Sequence, residues 1–122
     1  MKKKRILIVE DEGVNAMLLK YALQKDHIIL GIAVSGLDAI QQIIDQKPDL
    51  IIMDIRLEGE LTGIDVMNEV IKTHHVEHIY CTAYSDEDII MKARNTLPIE
   101  VIIKPVNIIE LSRMVNTDSM EQ

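Results

Sequence analysis

The sequence predicts an α/β fold in which five strand–helix units follow one another around a single parallel sheet. Short, wholly apolar runs alternate with segments of helical period from one end to the other. The chain has 122 residues, 48% of them apolar, which is enough for one core and too little for two. It shows no internal repeat, low-complexity tract or linker. Residues 1–122 therefore read as one domain with its core at about 4–117, and no effector domain is expected within the chain.

Ile6 to Val9 is the first strand, and Val14, Met17, Leu18 and Tyr21 mark one face of a helix ending near His27. Ile28 to Val34 is the second strand, bounded by Ser35-Gly36. Leu37, Ile40, Ile43 and Ile44 stripe a second helix that stops before Pro48. Leu50 to Met53 is a third strand closed by Asp54. A polar loop follows, then Ile64, Met67, Val70 and Ile71 on a third helix. Ile79 to Cys81, Asp86 to Asn95 and Val101 to Ile103 read as strand, helix and strand, and Ile108, Leu111 and Val115 stripe the last helix. Thr117 to Gln122 are polar and expected to fray.

Consecutive β–α units imply a parallel sheet, because parallel neighbours need right-handed crossovers that cover both faces. Strands buried on both faces should be continuously apolar, as these are. With no Phe or Trp and only Tyr21, Tyr80 and Tyr84, the core must be aliphatic.

A formal net charge of −7 argues against direct nucleic-acid binding, which relies on clustered Lys and Arg. The one basic run, Lys2 to Arg5, precedes only Ile6-Leu7-Ile8-Val9 before Glu10-Asp11-Glu12, too short an apolar stretch for a signal peptide. Nothing in the sequence reads as a membrane span. The single Cys81 has no intramolecular partner and fits buried packing in a reducing compartment, so a cytoplasmic location is expected.

In open α/β sheets, ligands bind at the carboxyl ends of the strands. Glu10 and Asp11 follow the first strand, Asp54 ends the third, Thr82 the fourth, and Lys104-Pro105 the fifth. Three carboxylates on one edge repel one another, and a hard divalent cation relieves them. Mg²⁺ suits such a site because it takes one or two carboxylates, keeps waters and accepts phosphate oxygens. Asp54, the central one, can then act as nucleophile toward a phosphoryl group and form an acyl phosphate. Lys104 and Thr82 would clamp the phosphoryl oxygens. Taken singly, each of these residues also reads as a solvated turn, a strand terminator or a surface cation. Their joint placement at the strand ends favours the chemical reading.

The stretches Ile6-Leu7-Ile8-Val9-Glu10-Asp11-Glu12, Leu50-Ile51-Ile52-Met53-Asp54-Ile55, Cys81-Thr82-Ala83 and Ile103-Lys104-Pro105 resemble the signatures of the receiver (CheY-like response-regulator) family, in its order and spacing. The resemblance covers nearly the whole chain. It implies a flavodoxin-like (βα)5 three-layer sandwich with strand order 2-1-3-4-5. It implies Mg²⁺ held by Glu10, Asp11, Asp54 and the backbone carbonyl of Arg56, with Thr82 and Lys104 on the phosphoryl group. The donor would be a sensor histidine kinase or phosphotransfer protein, and phosphorylation would switch binding of an output protein the sequence does not name. Ala83 matches the family's need for an open approach, and a cis Lys104-Pro105 bond is expected. Arg56 and Tyr84 stand where receivers place side chains that control water access to the acyl phosphate. Output is expected through the fourth helix, fifth strand and fifth helix. Val101 departs from the pattern, because the family usually carries Tyr or Phe there as part of its output switch.

Three other readings compete. His74-x-x-Glu77-His78 matches a zinc-peptidase pattern, H-x-x-E-H, but falls where the third helix runs out. A haloacid-dehalogenase-like phosphatase also uses an Asp after a strand, yet its second Asp is replaced here by Arg56. The third is a protein-binding module that keeps the fold without being phosphorylated, although the acidic residues, Thr82 and Lys104 are all present. Rossmann and Walker glycine patterns do not occur.

Overall fold

The computed structural model describes residues 2–117. The elements are β1 (Arg5–Val9), α1 (Gly13–Leu23), β2 (Ile28–Ala33), α2 (Gly36–Gln46), β3 (Leu50–Met53), α3 (Gly63–Val70), β4 (Glu77–Thr82), α4 (Glu87–Arg94), β5 (Glu100–Ile103) and α5 (Ile108–Asn116). All strand pairs are parallel, in the order β2-β1-β3-β4-β5. This is the flavodoxin-like arrangement, with β3 at the centre between β1 and β4.

Period-two alternation along the strands feeds two separate apolar layers. Ile6, Ile8, Leu50, Ile52, Ile79 and Cys81 pack with Ala16, Leu19 and Leu23 of α1 and Leu111 and Val115 of α5. Leu7, Val9, Ile51, Met53, Tyr80 and Val101 pack with residues of α2, α3 and α4. The layers are aliphatic as expected, with Tyr80 as the one fully buried ring among the tyrosines. Burial pushes the Cys81 thiol up to about 12, so it stays protonated at neutral pH.

Short polar side chains fix where the helices begin. Ser35 accepts from Asp38 N–H, and Asp86 accepts from Asp88 and Ile89 N–H. Thr62 and Asp65 form a reciprocal capping box on α3, and Asn107 caps α5. The Lys104–Pro105 peptide bond is cis.

Several expectations are corrected. The α1 face marked by Val14, Met17, Leu18 and Tyr21 is exposed, and α1 buries Ala16, Leu19 and Leu23 instead. Apolar residues surround this helix, so periodicity alone names no unique inner face. On α2, Ile43 is buried while Leu37 and Ile44 face outward. Ile71 lies past the end of α3 and is exposed, and Ile108 is also on the surface side. The second strand stops at Ala33, one residue short of Val34. The fourth strand begins two residues early, at Glu77. Glu77 and His78 thus sit in a strand, with His78 buried and its Nε2 2.9 Å from Thr96 Oγ1, which removes the helix a zinc-peptidase motif needs. Of the segment expected to fray, residues 118–122 lie outside the described residues. No helix among the described residues is long and apolar enough to cross a membrane.

Candidate functional site

The site forms along one edge of the sheet, at the carboxyl ends of β1, β3, β4 and β5. Asp54 N–H donates to Val9 O at 2.9 Å, extending the β1–β3 ladder by one bond and bringing Asp54 beside Glu10. Glu10 is held in turn by its own N–H on Ala33 O at 2.9 Å. One carboxylate oxygen each from Glu10, Asp11 and Asp54 lie within 4.8 Å of one another. Glu10 and Asp54 are buried and Asp11 is exposed. Glu12 N–H also donates to Glu10 Oε2 at 3.2 Å.

Lys104 reaches across from the end of β5. Its Nζ lies 2.6 Å from Glu10 Oε1 and 2.9 Å from Asp54 Oδ2. Its backbone N–H donates to Thr82 O at 2.7 Å, fixing the turn that carries it. Partial burial alone would lower the Lys104 pKa, but its bonds to Glu10 and Asp54 outweigh this and raise it, keeping the ammonium charged. Burial raises the Glu10 carboxyl above its ordinary value; the Lys104 bond opposes this and the nearby Asp54 reinforces it.

Thr82 is fully buried, and its Oγ1 accepts from Tyr84 N–H at 3.2 Å, so its hydroxyl is engaged with its own loop. Ala83 and Arg56 are exposed and Tyr84 is half-buried. Arg56 N–H approaches Asp54 Oδ1 at 3.4 Å, placing that peptide beside the acceptor carboxylate. Pro105 is exposed beside Lys104, and Val101 is buried in the layer that contains Tyr80. Glu10, Asp11, Asp54 and Lys104 are therefore brought together directly. Thr82 joins them through the backbone of Lys104, and Val101 lies in the apolar layer beneath α4.

The donor set fits a small, hard divalent cation. It offers carboxylate oxygens alone, and three carboxylates beside one ammonium leave an excess of negative charge. A softer metal would call for His or Cys ligands. Among the described residues no His or Cys side chain joins such a group.

Sequence reasoning missed Gly63, the first residue of α3, whose N–H donates to Ile55 O at 2.7 Å directly beside Asp54. A lone glycine at a helix start gives no local signal of what its missing side chain would touch.

Comparison with known proteins agrees with this geometry. A family model described as the response regulator receiver domain matches residues 6–116. The transcriptional regulatory protein PdtaR of Mycobacterium tuberculosis is 32% identical over 109 residues, covering 88% of this chain and 53% of that protein. The chain thus spans about half the length of that relative. The chemotaxis protein CheY of Thermotoga maritima is 32% identical over 104 residues, covering 84% of this chain and 86% of CheY. Among solved structures, the signal receiver domain of a modulated diguanylate cyclase from Desulfovibrio desulfuricans superposes with a TM-score of 0.86 at 27% identity, covering 93% of this chain and 91% of that one. The chain belongs to the response regulator receiver family, the signalling domain of two-component systems.

Proposed function

We propose that this chain works as a single receiver domain in which Asp54 is the phospho-acceptor. The observation that carries the reading is Lys104 Nζ held between Glu10 and Asp54, at 2.6 and 2.9 Å, in a pocket that also contains Asp11. Such a pocket combines a nucleophilic carboxylate with a fixed cation where phosphoryl charge would sit.

In the transfer, an Asp54 carboxylate oxygen attacks the phosphorus of the donor. The new O–P bond forms as the donor's bond to phosphorus breaks: P–N in a phosphohistidine, P–O in acetyl phosphate. The bonding electrons leave with the imidazole or the acetate. Lys104, already beside Asp54, would donate to one phosphoryl oxygen, and the Thr82 hydroxyl to another. Glu10, Asp11, Asp54 and the Arg56 carbonyl would hold Mg²⁺, which when bound neutralises both the carboxylate cluster and the phosphoryl oxygens. The phosphoryl donor in this reading is a sensor histidine kinase or phosphotransfer protein. Phosphorylation then alters binding to an output partner.

Incubation with acetyl phosphate tests this directly. Phosphoryl incorporation should require Mg²⁺, be abolished by a chelator and be strongly reduced in Lys104→Ala. Incorporation indifferent to Mg²⁺ would contradict the proposed site. No incorporation under any condition would favour a receiver-fold binding module.

A further inference from the structure

We propose that Gly63 is a positioning residue for Asp54: the bare backbone at the start of α3 lets that helix close against the acceptor's own peptide and fixes where the carboxylate stands. This rests on the phospho-acceptor reading of Asp54.

A Cβ added at Gly63 would overlap the Asp54 carbonyl oxygen, and would stand 2.7 Å from Met53 Cγ and 3.0 Å from the Asp54 carbonyl carbon. Met53 is fully buried, and its Cγ lies close to the backbone. The Asp54 backbone is anchored as well, since its N–H is bonded to Val9 O and Met53 is paired to both β1 and β4. Gly63 does not have the left-handed backbone that calls for glycine, so space and not dihedral freedom demands it here. Gly59 is the opposite case, with φ +90 and nothing near its missing side chain.

The far end of the same loop is fastened in a similar way. Glu58 N–H donates to Val34 O at 3.2 Å, and a Cβ at Gly36 would stand 2.6 Å from Leu61 Cβ. The segment that carries Asp54 and Arg56 is thus held at both ends by close approaches: α3 presses on one, and the start of α2 on the other. An alanine at 63 must push α3 and the Asp54 peptide apart by about 1 Å, and a displacement of that size costs on the order of 100-fold in rate for a well-placed reacting group.

The test compares Gly63→Ala with Val70→Ala in the full chain. Val70 is buried at the other end of α3 and reports the general cost of loosening that helix. Rates are measured with saturating acetyl phosphate and Mg²⁺ at temperatures giving equal folded fractions. Gly63→Ala should label roughly 10- to 100-fold more slowly, while Val70→Ala keeps the wild-type rate. In a second readout, the backbone amide resonances of residues 54–56 are followed through a Mg²⁺ titration. They should shift in Gly63→Ala before metal is added, and the Mg²⁺ half-saturation concentration should rise. Wild-type labelling and titration in Gly63→Ala, or equal slowing in both variants, would overturn the proposal. Should wild type itself fail to label, the acceptor reading falls, and the amide resonances alone decide whether Gly63 positions Asp54. If Gly63→Ala does not fold, Thr62→Ala, which uncaps the start of α3, replaces it: the amide resonances of residues 54–56 should shift and the Mg²⁺ half-saturation concentration should rise, and an unchanged titration would overturn the proposal.

Discussion

Tyr80 stands in register with Val101 across the β4–β5 ladder, and both pack in the apolar layer under α4. The aromatic ring absent from β5 is thus present one strand over. Its hydroxyl lies 2.8 Å from Thr96 Oγ1, which donates to Ala93 O at 2.7 Å and also meets His78 Nε2 at 2.9 Å. Thr96 has one proton to give and spends it on Ala93, so Tyr80 and His78 both donate to it. Tyr80→Phe removes one of these bonds and should destabilise by about 1 kcal/mol. Thr96→Val strands two buried donors and should cost about 2–4 kcal/mol. Urea unfolding ranks the two, and a Tyr80→Phe that costs as much as Thr96→Val would contradict this network.

Burial lowers the His78 pKa from 6.5 to about 4. The unfolded chain therefore binds a proton between those values that the folded chain does not. Stability from this residue is fully present above about 6.5 and is lost as pH falls toward 4. The shift corresponds to about 3 kcal/mol across that window. His78→Gln keeps a donor toward Thr96 but does not titrate. Its unfolding free energy should fall less steeply than that of wild type between pH 6.5 and 4; parallel pH curves would count against the assignment.

The same network bears on output. Thr96 ties the end of α4 to the sheet, whereas Ala83, Ser85 and Asp86 before the helix are exposed. Phosphorylation that draws Thr82 toward the pocket should therefore move the start of α4 more than its end, without an aromatic swing at Val101. A loop of this kind is repopulated by only a few kcal/mol of differential contact. Amide exchange with a phosphoryl mimic and Mg²⁺ should change at residues 84–91 and remain quiet near 96. Changes confined to the acidic pocket would sink this mechanism.

Arg56 and Tyr84 lie two residues beyond Asp54 and Thr82, one exposed and one half-buried. Side chains of this size over the pocket would hinder the approach of water to an acyl phosphate. Replacing both with Ala should accelerate loss of the phosphoryl group, followed by intact mass after the donor is removed. An unchanged or slower rate would show that they shield nothing.

Much of this was legible in the residues. The third strand was bounded correctly because Leu50 to Met53 is apolar at every position and ends abruptly at Asp54. The acidic cluster and Lys104 could be placed because strand ends in a parallel sheet share one edge, so five local signals converge. The inner face of α1 could not, since Val14, Met17, Leu18 and Tyr21 are as apolar as the Ala16, Leu19 and Leu23 it buries. The start of β4 is not legible because a His reads as a surface residue, whereas His78 is buried with its Nε2 on Thr96, 18 positions away. Gly63 was invisible because its importance lies in another segment's backbone.

The most direct test of the central claim is to trap the acyl phosphate. The chain is treated with acetyl phosphate and Mg²⁺, reduced with borohydride and digested, and the peptides are mapped by mass spectrometry. The aspartate converted to homoserine should be Asp54 alone, with no conversion when Mg²⁺ is chelated. Conversion at Asp11 or another aspartate, or at Asp54 without Mg²⁺, would contradict the claim.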